Sequence, residues 1–170
     1  MTDIRTTGGD IKVEFDFPDA TRKYRSTVET VSGNISGRLL LGAELGLKSV
    51  SGDIAVNVIG TGAEEPYLRT ESSSGWTEVV VEGTSGERVV GRHTSDSGEI
   101  HARYPTSWEG EVHAKAARGD VRLEGRGLSI TQDSRGLIKG QEIWAEKGDP
   151  SNGRIMARSK SSDVVVTIGQ

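Results

Sequence analysis

Hydrophobic and polar residues alternate along this chain over short stretches, a pattern typical of half-buried β-strands. The segment 11–17 (IKVEFDF) alternates strictly and stops at Pro18, and 54–58 (IAVNV) repeats the pattern. Shorter alternating segments follow at 100–104 and 112–116. No window of twelve residues keeps the i, i+3, i+4, i+7 spacing of an amphipathic helix. The pattern therefore predicts an all-β protein.

A short phrase recurs along the chain: a small residue, a polar residue and then a β-branched or leucine residue. Clear copies begin at Gly9, Gly33, Gly52, Gly98 and Gly119, and looser ones at Gly75, Gly136, Gly153 and Ser162. Successive copies are 17 to 24 residues apart, except for a last interval of 9. A turn-and-strand period of roughly 20 residues predicts a β-solenoid, most simply a right-handed β-helix-like one. The alternative is a two-sheet β-sandwich of short strands.

Each position of the phrase has an expected physical role. Glycine provides a corner with positive φ, which a Cβ would penalise. The short Asp or Asn bonds its own backbone at the turn. The Ile or Val that follows enters the core as the first inward residue of the next strand.

Length and composition predict a single β-repeat domain over residues 1–170. Residues 1–27 form an N-terminal strand and cap, and 28–168 contain the repeats. Glycine accounts for 23 of 170 residues and aromatic residues for only 5%. The core is therefore expected to consist of Val, Ile, Leu and Ala, as in thin stacks of parallel strands.

Several classes of function are excluded by composition. The net charge of −4 comes without a basic stripe, so nucleic acid is not an expected partner. The absence of cysteine excludes disulfides, thiolate zinc sites and thiol catalysis. The given chain has no signal peptide and no apolar stretch long enough to span a membrane, so a soluble protein is expected. The compartment stays open.

Four segments carry a resemblance to a known family. They are Val31–Gly37 (VSGNISG), Val50–Ile54 (VSGDI), Ser95–Ile100 (SDSGEI) and Tyr104–Val112 (YPTSWEGEV). These segments resemble the adhesin-like β-strand-repeat domains of unknown function found in bacteria and fungi, over roughly residues 28–168. The resemblance implies a β-solenoid-like fold and no catalytic residues.

The acids of the repeat and the histidines are the candidates for metal binding. Asp10, Asp53, Asp120 and Asp163, with Asn34 and Glu99, share one repeat position and could meet on one corner, where carboxylates can hold Ca²⁺. The calcium-roll spacing is lacking, so capped turns without metal are favoured. His101 and His113 alternate with apolar neighbours, which places both on the outer face as a solvated pair rather than a zinc site. No cofactor and no metal is predicted.

Aromatic residues near turns are the candidates for a ligand or partner surface. Trp76, Tyr104, Trp108 and Trp144 all lie at or beside predicted corners, where rings can stack on sugars or anchor a protein. The alternative interpretation is that they fill the ends and corners of a thin core.

The C-terminal strand is the candidate for assembly. Val164, Val166 and Ile168 belong to an apolar run that continues almost to Gln170, with nothing after it to cover the edge. Either this strand pairs back inside the fold, or it docks onto a partner or a second copy.

No catalytic motif is found, so the sequence predicts a protein without enzymatic activity. The favoured function is an adhesin-like or scaffold interaction domain that binds a protein or glycan surface and self-associates through its C-terminal edge. One alternative is a carbohydrate-binding module that uses the turn aromatics. A second alternative is a polysaccharide-acting enzyme of the β-helix type.

Overall fold

The computed structural model describes residues 1–14, 25–83, 88–135 and 140–169, which form sixteen β-strands and no helix. The strands are β1 (Thr2–Thr6), β2 (Ile11–Glu14), β3 (Arg25–Thr30), β4 (Ile35–Leu41), β5 (Glu44–Ser49), β6 (Ile54–Gly60), β7 (Tyr67–Ser72), β8 (Thr77–Glu82), β9 (Val90–Ser95), β10 (Ile100–Tyr104), β11 (Gly110–Ala116), β12 (Val121–Gly125), β13 (Ser129–Arg135), β14 (Gln141–Lys147), β15 (Arg154–Ser159) and β16 (Val164–Ile168). The all-β prediction is confirmed. The predicted continuation of the first strand through Phe15 and Phe17 lies outside the described residues, as do much of the predicted cap and the repeat copy at Gly136. None of the described segments is a helix with the length and apolar content that crossing a membrane requires.

The strands form two sheets that share one core. The long sheet has nine strands in the order β1-β3-β5-β7-β9-β15-β11-β14-β13, and the short sheet has seven in the order β12-β16-β10-β8-β6-β4-β2. From β1 to β10, odd-numbered strands join the long sheet and even-numbered strands the short one. Each odd–even pair is thus one coil, and successive coils pair in parallel, as Ile35 does with Ile54. The predicted β-solenoid-like fold is confirmed.

The hydrophobic residue of each repeat forms a ladder through the core. The stacked positions in the short sheet are Ile11, Ile35, Ile54, Thr77, Ile100, Val164 and Val121. Each side chain is at most 9% exposed. Because the same inward position recurs in every coil, apolar groups of similar size lie directly above one another.

The last coil of the chain lies inside the stack rather than at its end. β15 pairs with β9 on one side and with β11 on the other, and β16 pairs in the same way with β10 and β12. The coil β11–β12 is therefore displaced by one position, and residues 154–169 fill the space that it leaves.

This topology corrects the predicted assembly edge. Val164, Val166 and Ile168 lie on a strand whose two hydrogen-bonding edges are both occupied, and their side chains are at most 1% exposed. The prediction that these residues form an exposed edge for self-association is wrong. The strand pairs back inside the fold, which is the other alternative that the sequence left open.

An antiparallel hairpin ends the long sheet. β14 runs antiparallel to β11, and β13 pairs with the far side of β14. The pairing of β13 is interrupted by a register shift between Ile130 and Gln132, and Ile130 is 56% exposed. A bulged edge strand with polar side chains disfavours pairing with another chain.

One buried hydroxyl in the apolar ladder has no partner, which leads to a stability prediction. Thr77 lies between Ile54 and Ile100, and its Oγ1 forms no hydrogen bond. We expect Thr77→Val to raise the free energy of unfolding by about 1 kcal/mol, because the change removes an unsatisfied polar atom at nearly constant shape. Thr70→Val is the matched control and should lower the free energy of unfolding, since Thr70 Oγ1 forms a hydrogen bond with His93 Nδ1. Urea denaturation measures both, and equal effects of the two changes would contradict this assignment.

Candidate functional site

The polar residues of the repeat form a hydrogen-bonded ladder along one corner of the solenoid. Asp10 Oδ1 accepts from the amide of Asn34 at 2.8 Å, and Asn34 Oδ1 accepts from the amide of Asp53 at 2.9 Å. Asp53 Oδ1 accepts from the amide of Trp76 at 2.7 Å. The sequence predicted that each side chain would bond the backbone of its own turn. In the structure each caps the neighbouring coil instead.

The ladder accounts for three of the corner acids, Asp10, Asp53 and Asp163, whose carboxylates accept from backbone amides. Asp163 Oδ1 accepts from the amide of Asp120 at 2.8 Å, so the inserted coil joins the ladder too. Within the described residues, no three His, Cys, Asp or Glu side chains are grouped in a way that could hold a metal. These carboxylates are committed to backbone amides.

The glycines of the corner are required for a reason different from the predicted one. Only Gly9 and Gly75 among the described repeat copies have a positive φ, at 95° and 119°. At Gly52 and Gly98 the backbone is ordinary, but a Cβ would overlap the carbonyl oxygen of the glycine in the preceding coil. Close stacking of the corners, rather than backbone handedness, makes glycine necessary there.

Two of the four predicted surface aromatics are buried. Tyr104 is 2% and Trp108 is 1% exposed, so neither can contact a ligand at the surface, and that part of the prediction is wrong. Trp108 follows a turn in which its amide donates to Pro105 O, and its indole Nε1 donates to Val89 O at 3.3 Å. These rings fill the gap between coils, which matches the alternative interpretation.

Tyr104 belongs to a buried polar chain. Its hydroxyl lies 2.8 Å from Nε2 of His93, whose Nδ1 lies 2.9 Å from Thr70 Oγ1. Gly91 makes room for the chain, because a Cβ there would overlap the tyrosine hydroxyl. Burial raises the pKa of Tyr104 and lowers the pKa of His93 to about 4. The group stays neutral and stabilises the core.

The lowered pKa of His93 predicts acid sensitivity. The unfolded chain binds a proton at this histidine below about pH 6.5, whereas the folded chain does so only near pH 4. The contribution of neutral His93 to the free energy of unfolding is therefore complete above pH 6.5. About 3 kcal/mol of that free energy is lost as the pH falls from 6.5 to 4. We expect His93→Gln to flatten this part of the stability profile, measured by urea denaturation at each pH. His101→Gln is the surface control, and an unchanged slope in His93→Gln would contradict the assignment.

The two exposed tryptophans lie on different faces. Trp76 is 36% exposed at the corner that leads into the short sheet, where its ring meets His101 edge-on at 5.7 Å. Trp144 is 37% exposed on the outer face of the long sheet. The four predicted aromatics therefore do not form one surface.

Trp144 is held in place by a histidine beneath it. Its indole stacks on the His113 ring at 3.8 Å with an interplanar angle of 12°. His113 lies on the outer face, as predicted, but it is only 5% exposed because Trp144 covers it. His101 and His113 lie in different sheets and do not form a pair.

Polar contacts fix the orientation of the His113 ring. Its Nε2 lies 2.7 Å from Glu142 Oε1, and its Nδ1 lies 3.4 Å from Arg158 Nη2. A guanidinium only donates, so Nδ1 accepts and Nε2 carries the proton that is donated to Glu142. Hydrogen bonds from Lys115 and His113 lower the pKa of Glu142.

Residues distant in sequence extend this surface into a continuous row. Arg92, Met156, His113 and Trp144 are in register across β9, β15, β11 and β14, and Arg158 lies two residues beyond Met156. Arg92 and Arg158 are exposed and pair with no carboxylate of the described residues. We call these five residues the Trp144 patch. Sequence reasoning missed all of it except Trp144 and His113, because the insertion of β15 creates the row.

A groove lies at the other end of the long sheet. The groove, of about 360 Å³, is lined by residues that include Val31 and Val50, both exposed, beside the ion pair of Arg5 and Glu29. The ion pair joins two exposed side chains at 3.4 Å. The groove offers apolar groups, this ion pair and Lys48, but the described residues that line it include no exposed aromatic ring like that of Trp144.

Comparison with known proteins gives a family whose description states no function. The chain matches the family model described as Toastrack DUF4097 over residues 2–169. No curated protein and no solved structure matched the chain.

Proposed function

Since the chain belongs to the Toastrack family DUF4097, whose description assigns no activity, we propose its function from the surface of the solenoid. The chain is a non-catalytic interaction domain of the adhesin-like or scaffold kind. Its binding surface is the Trp144 patch on the outer face of the long sheet, and its partner is an acidic segment of another protein.

The observation that carries this proposal is the exposed indole of Trp144 on a fixed support. A tryptophan stacked at 3.8 Å on a buried histidine has little conformational freedom to lose when a partner binds. Tryptophan and arginine are the residues most enriched at interface hot spots, and methionine is also enriched in interfaces. The patch combines all three on a rigid sheet.

Charge supports an acidic partner. Arg92 and Arg158 pair with no described carboxylate, whereas neighbouring cations such as Lys115 and Arg154 are already paired with Glu142 and Glu111. Carboxylates of a partner would therefore meet two guanidiniums that are available for charge-assisted hydrogen bonds. The overall charge of −4 makes this local basic surface selective rather than generally adhesive.

The assignment as non-catalytic is supported by how the acids and histidines are used. The carboxylates of Asp10, Asp53 and Asp163 accept hydrogen bonds from backbone amides. His93 is enclosed in the core. His113 is bonded on both ring nitrogens. These groups stabilise the fold or the patch in their present contacts.

Selection of displayed peptides on the folded chain tests the proposal. We expect selected sequences to be rich in Asp and Glu around an apolar or aromatic residue. Trp144→Ala should weaken their binding at least about tenfold, and Arg92→Glu combined with Arg158→Glu should abolish it. Trp76→Ala is the matched control, since Trp76 is equally exposed on another face. Peptides that bind all variants alike, or no enrichment of acids, would overturn the proposed surface.

A carbohydrate-binding function is the second candidate, because one face of the Trp144 indole is supported and the ring remains exposed. Sugar rings stack on such surfaces. Fluorescence titration of the Trp76→Phe variant with neutral oligosaccharides separates the two functions. Saturable quenching that Trp144→Ala removes would favour the glycan, and no response would favour the acidic protein segment.

A further inference from the structure

The interior position of the last coil divides the rest of the fold into two parts. Coils from β1–β2 to β9–β10 lie on one side of residues 154–169, and β11–β14 lie on the other. Without these residues, β9 and β10 would present unpaired edges opposite those of β11 and β12. The chain therefore contains a cleft that accepts a pair of strands.

The cleft is specific for its occupant in both backbone and side chains. Ala157 is in register with His93 on one side and with Ala114 on the other. At the corner, Ser162 Oγ donates to Ser97 O at 2.8 Å, and Asp163 Oδ1 accepts from the amide of Asp120. The inward side chains of the occupant are fully buried.

A short connection joins the occupant to β14. Residues 148–153 leave β14 and pass the start of β11 to reach β15 on its other side. A turn in which the Asn152 amide donates to Asp149 O closes the connection, and Glu109 Oε2 accepts from Asn152 Nδ2 at 3.1 Å.

We propose that this cleft is a binding site for the C-terminal coil of a second copy of the chain, so that two copies exchange residues 154–169 and form a closed dimer. A strand pair that fills the cleft within one chain makes the same hydrogen bonds and buries the same side chains when it comes from another. Only the connection differs between the two forms.

Shortening the connection should therefore favour exchange. β14 and β15 flank β11, so the connection spans two strand spacings, or roughly 10 Å, and must also arch over the start of β11. Deletion of residues 149–152 leaves two residues to do this, which is too few for the closed monomer. We expect this variant to be a dimer of about 36 kDa by light scattering, twice the 18.2 kDa of one chain. Insertion of four Gly/Ser residues is the matched control and should leave a monomer.

A second measurement keeps the connection intact. The chain contains no cysteine, and Thr94 of β9 is in register with Arg158 of β15, so the two Cα atoms lie within disulfide range. Thr94→Cys and Arg158→Cys chains are unfolded separately, mixed, and refolded together at high concentration under oxidation. A covalent heterodimer that forms in preference to either homodimer is the expected result, because only exchange places β15 of one chain beside β9 of the other.

Two results would overturn the inference. One is that the deletion variant folds as a monomer. The other is that co-refolding gives no heterodimer above the level that Thr94→Cys and a surface Arg122→Cys give together. If the deletion variant fails to fold, the co-refolding result alone decides the question. Arg158→Cys removes one residue of the Trp144 patch, but both readouts measure covalent or non-covalent dimers and not binding to the patch, so failure here leaves the proposed function untouched.

Discussion

Replacing Val166 by Asp is expected to unfold the domain. Val166 is 1% exposed and lies in register between Ala102 and Leu123, at the centre of the inserted coil. A carboxylate there has no partner, and we expect the loss to be about 4 kcal/mol or more, a large part of the stability of a single domain. Because the coil joins the two parts of the solenoid, the variant should be largely unfolded at 37 °C. Its circular dichroism should then show no cooperative unfolding transition above that temperature.

Val165→Asp is the matched control for this experiment. Val165 is the next residue of β16, faces outward, and lies in register between His101 and Arg122. A carboxylate is solvated there and has a cation beside it, so the stability should change by about 1 kcal/mol or less. Similar effects of the two changes, or a stable Val166→Asp monomer, would mean that residues 154–169 do not occupy the interior.

Gly98→Ala is expected to destabilise the domain by about 3 kcal/mol, because the added methyl group overpacks the corner. A Cβ at Gly98 would overlap the carbonyl oxygen of Gly75, and that backbone cannot move without disturbing the hydrogen bonds between coils. For a domain of this length the melting temperature should fall by about 10 °C. Differential scanning calorimetry measures the change.

Gly46→Ala shows whether the effect comes from the corner or from glycine in general. Gly46 lies on the outer side of β5, and the nearest atom to a Cβ there is Thr27 Cγ2 at 3.8 Å, an ordinary contact. We expect no loss of stability, since alanine costs less conformational entropy than glycine. A fall in melting temperature equal to that of Gly98→Ala would contradict the proposed stacking of corners.

The regular part of the fold is predictable because it follows from local pattern. The phrase at Gly33, Gly52 and Gly98 sets the period, and alternation sets which side chains face inward. Stacking identical phrases brings Ile35 onto Ile54, as parallel pairing requires. The same phrases also explain Asp10, Asp53 and Asp163, acids that would otherwise suggest a calcium site, since the carboxylate of each caps a neighbouring coil.

The position of the last coil is not predictable in the same way. In a repeat protein each coil offers nearly the same edges, so the pattern within a strand does not specify which coil it pairs with. The shortened intervals after Gly119 are the signal in the sequence that regular stacking ends there. They correspond to the antiparallel hairpin and to the return of the chain into the stack.

The candidate site is likewise predictable only where it depends on local sequence. The position of Trp144 near a turn made it a surface candidate, but Trp108 and Tyr104 had the same local signature and are buried. Their burial depends on space left by Gly91 and on partners such as His93, which come from other coils. Arg92 and Arg158 lie on neighbouring strands only because β15 pairs with β9, so no local pattern could have joined them.

Hydrogen exchange of the intact chain, followed by mass spectrometry of peptides, tests the interior coil most directly. We expect amides of Val164–Ile168 to exchange as slowly as those of Ile54–Gly60, since both strands are paired on two sides. The edge strand Ser129–Arg135 should exchange much faster. Fast exchange over residues 154–169, at the rate of a frayed chain end, would show that this coil does not lie between β9–β10 and β11–β12.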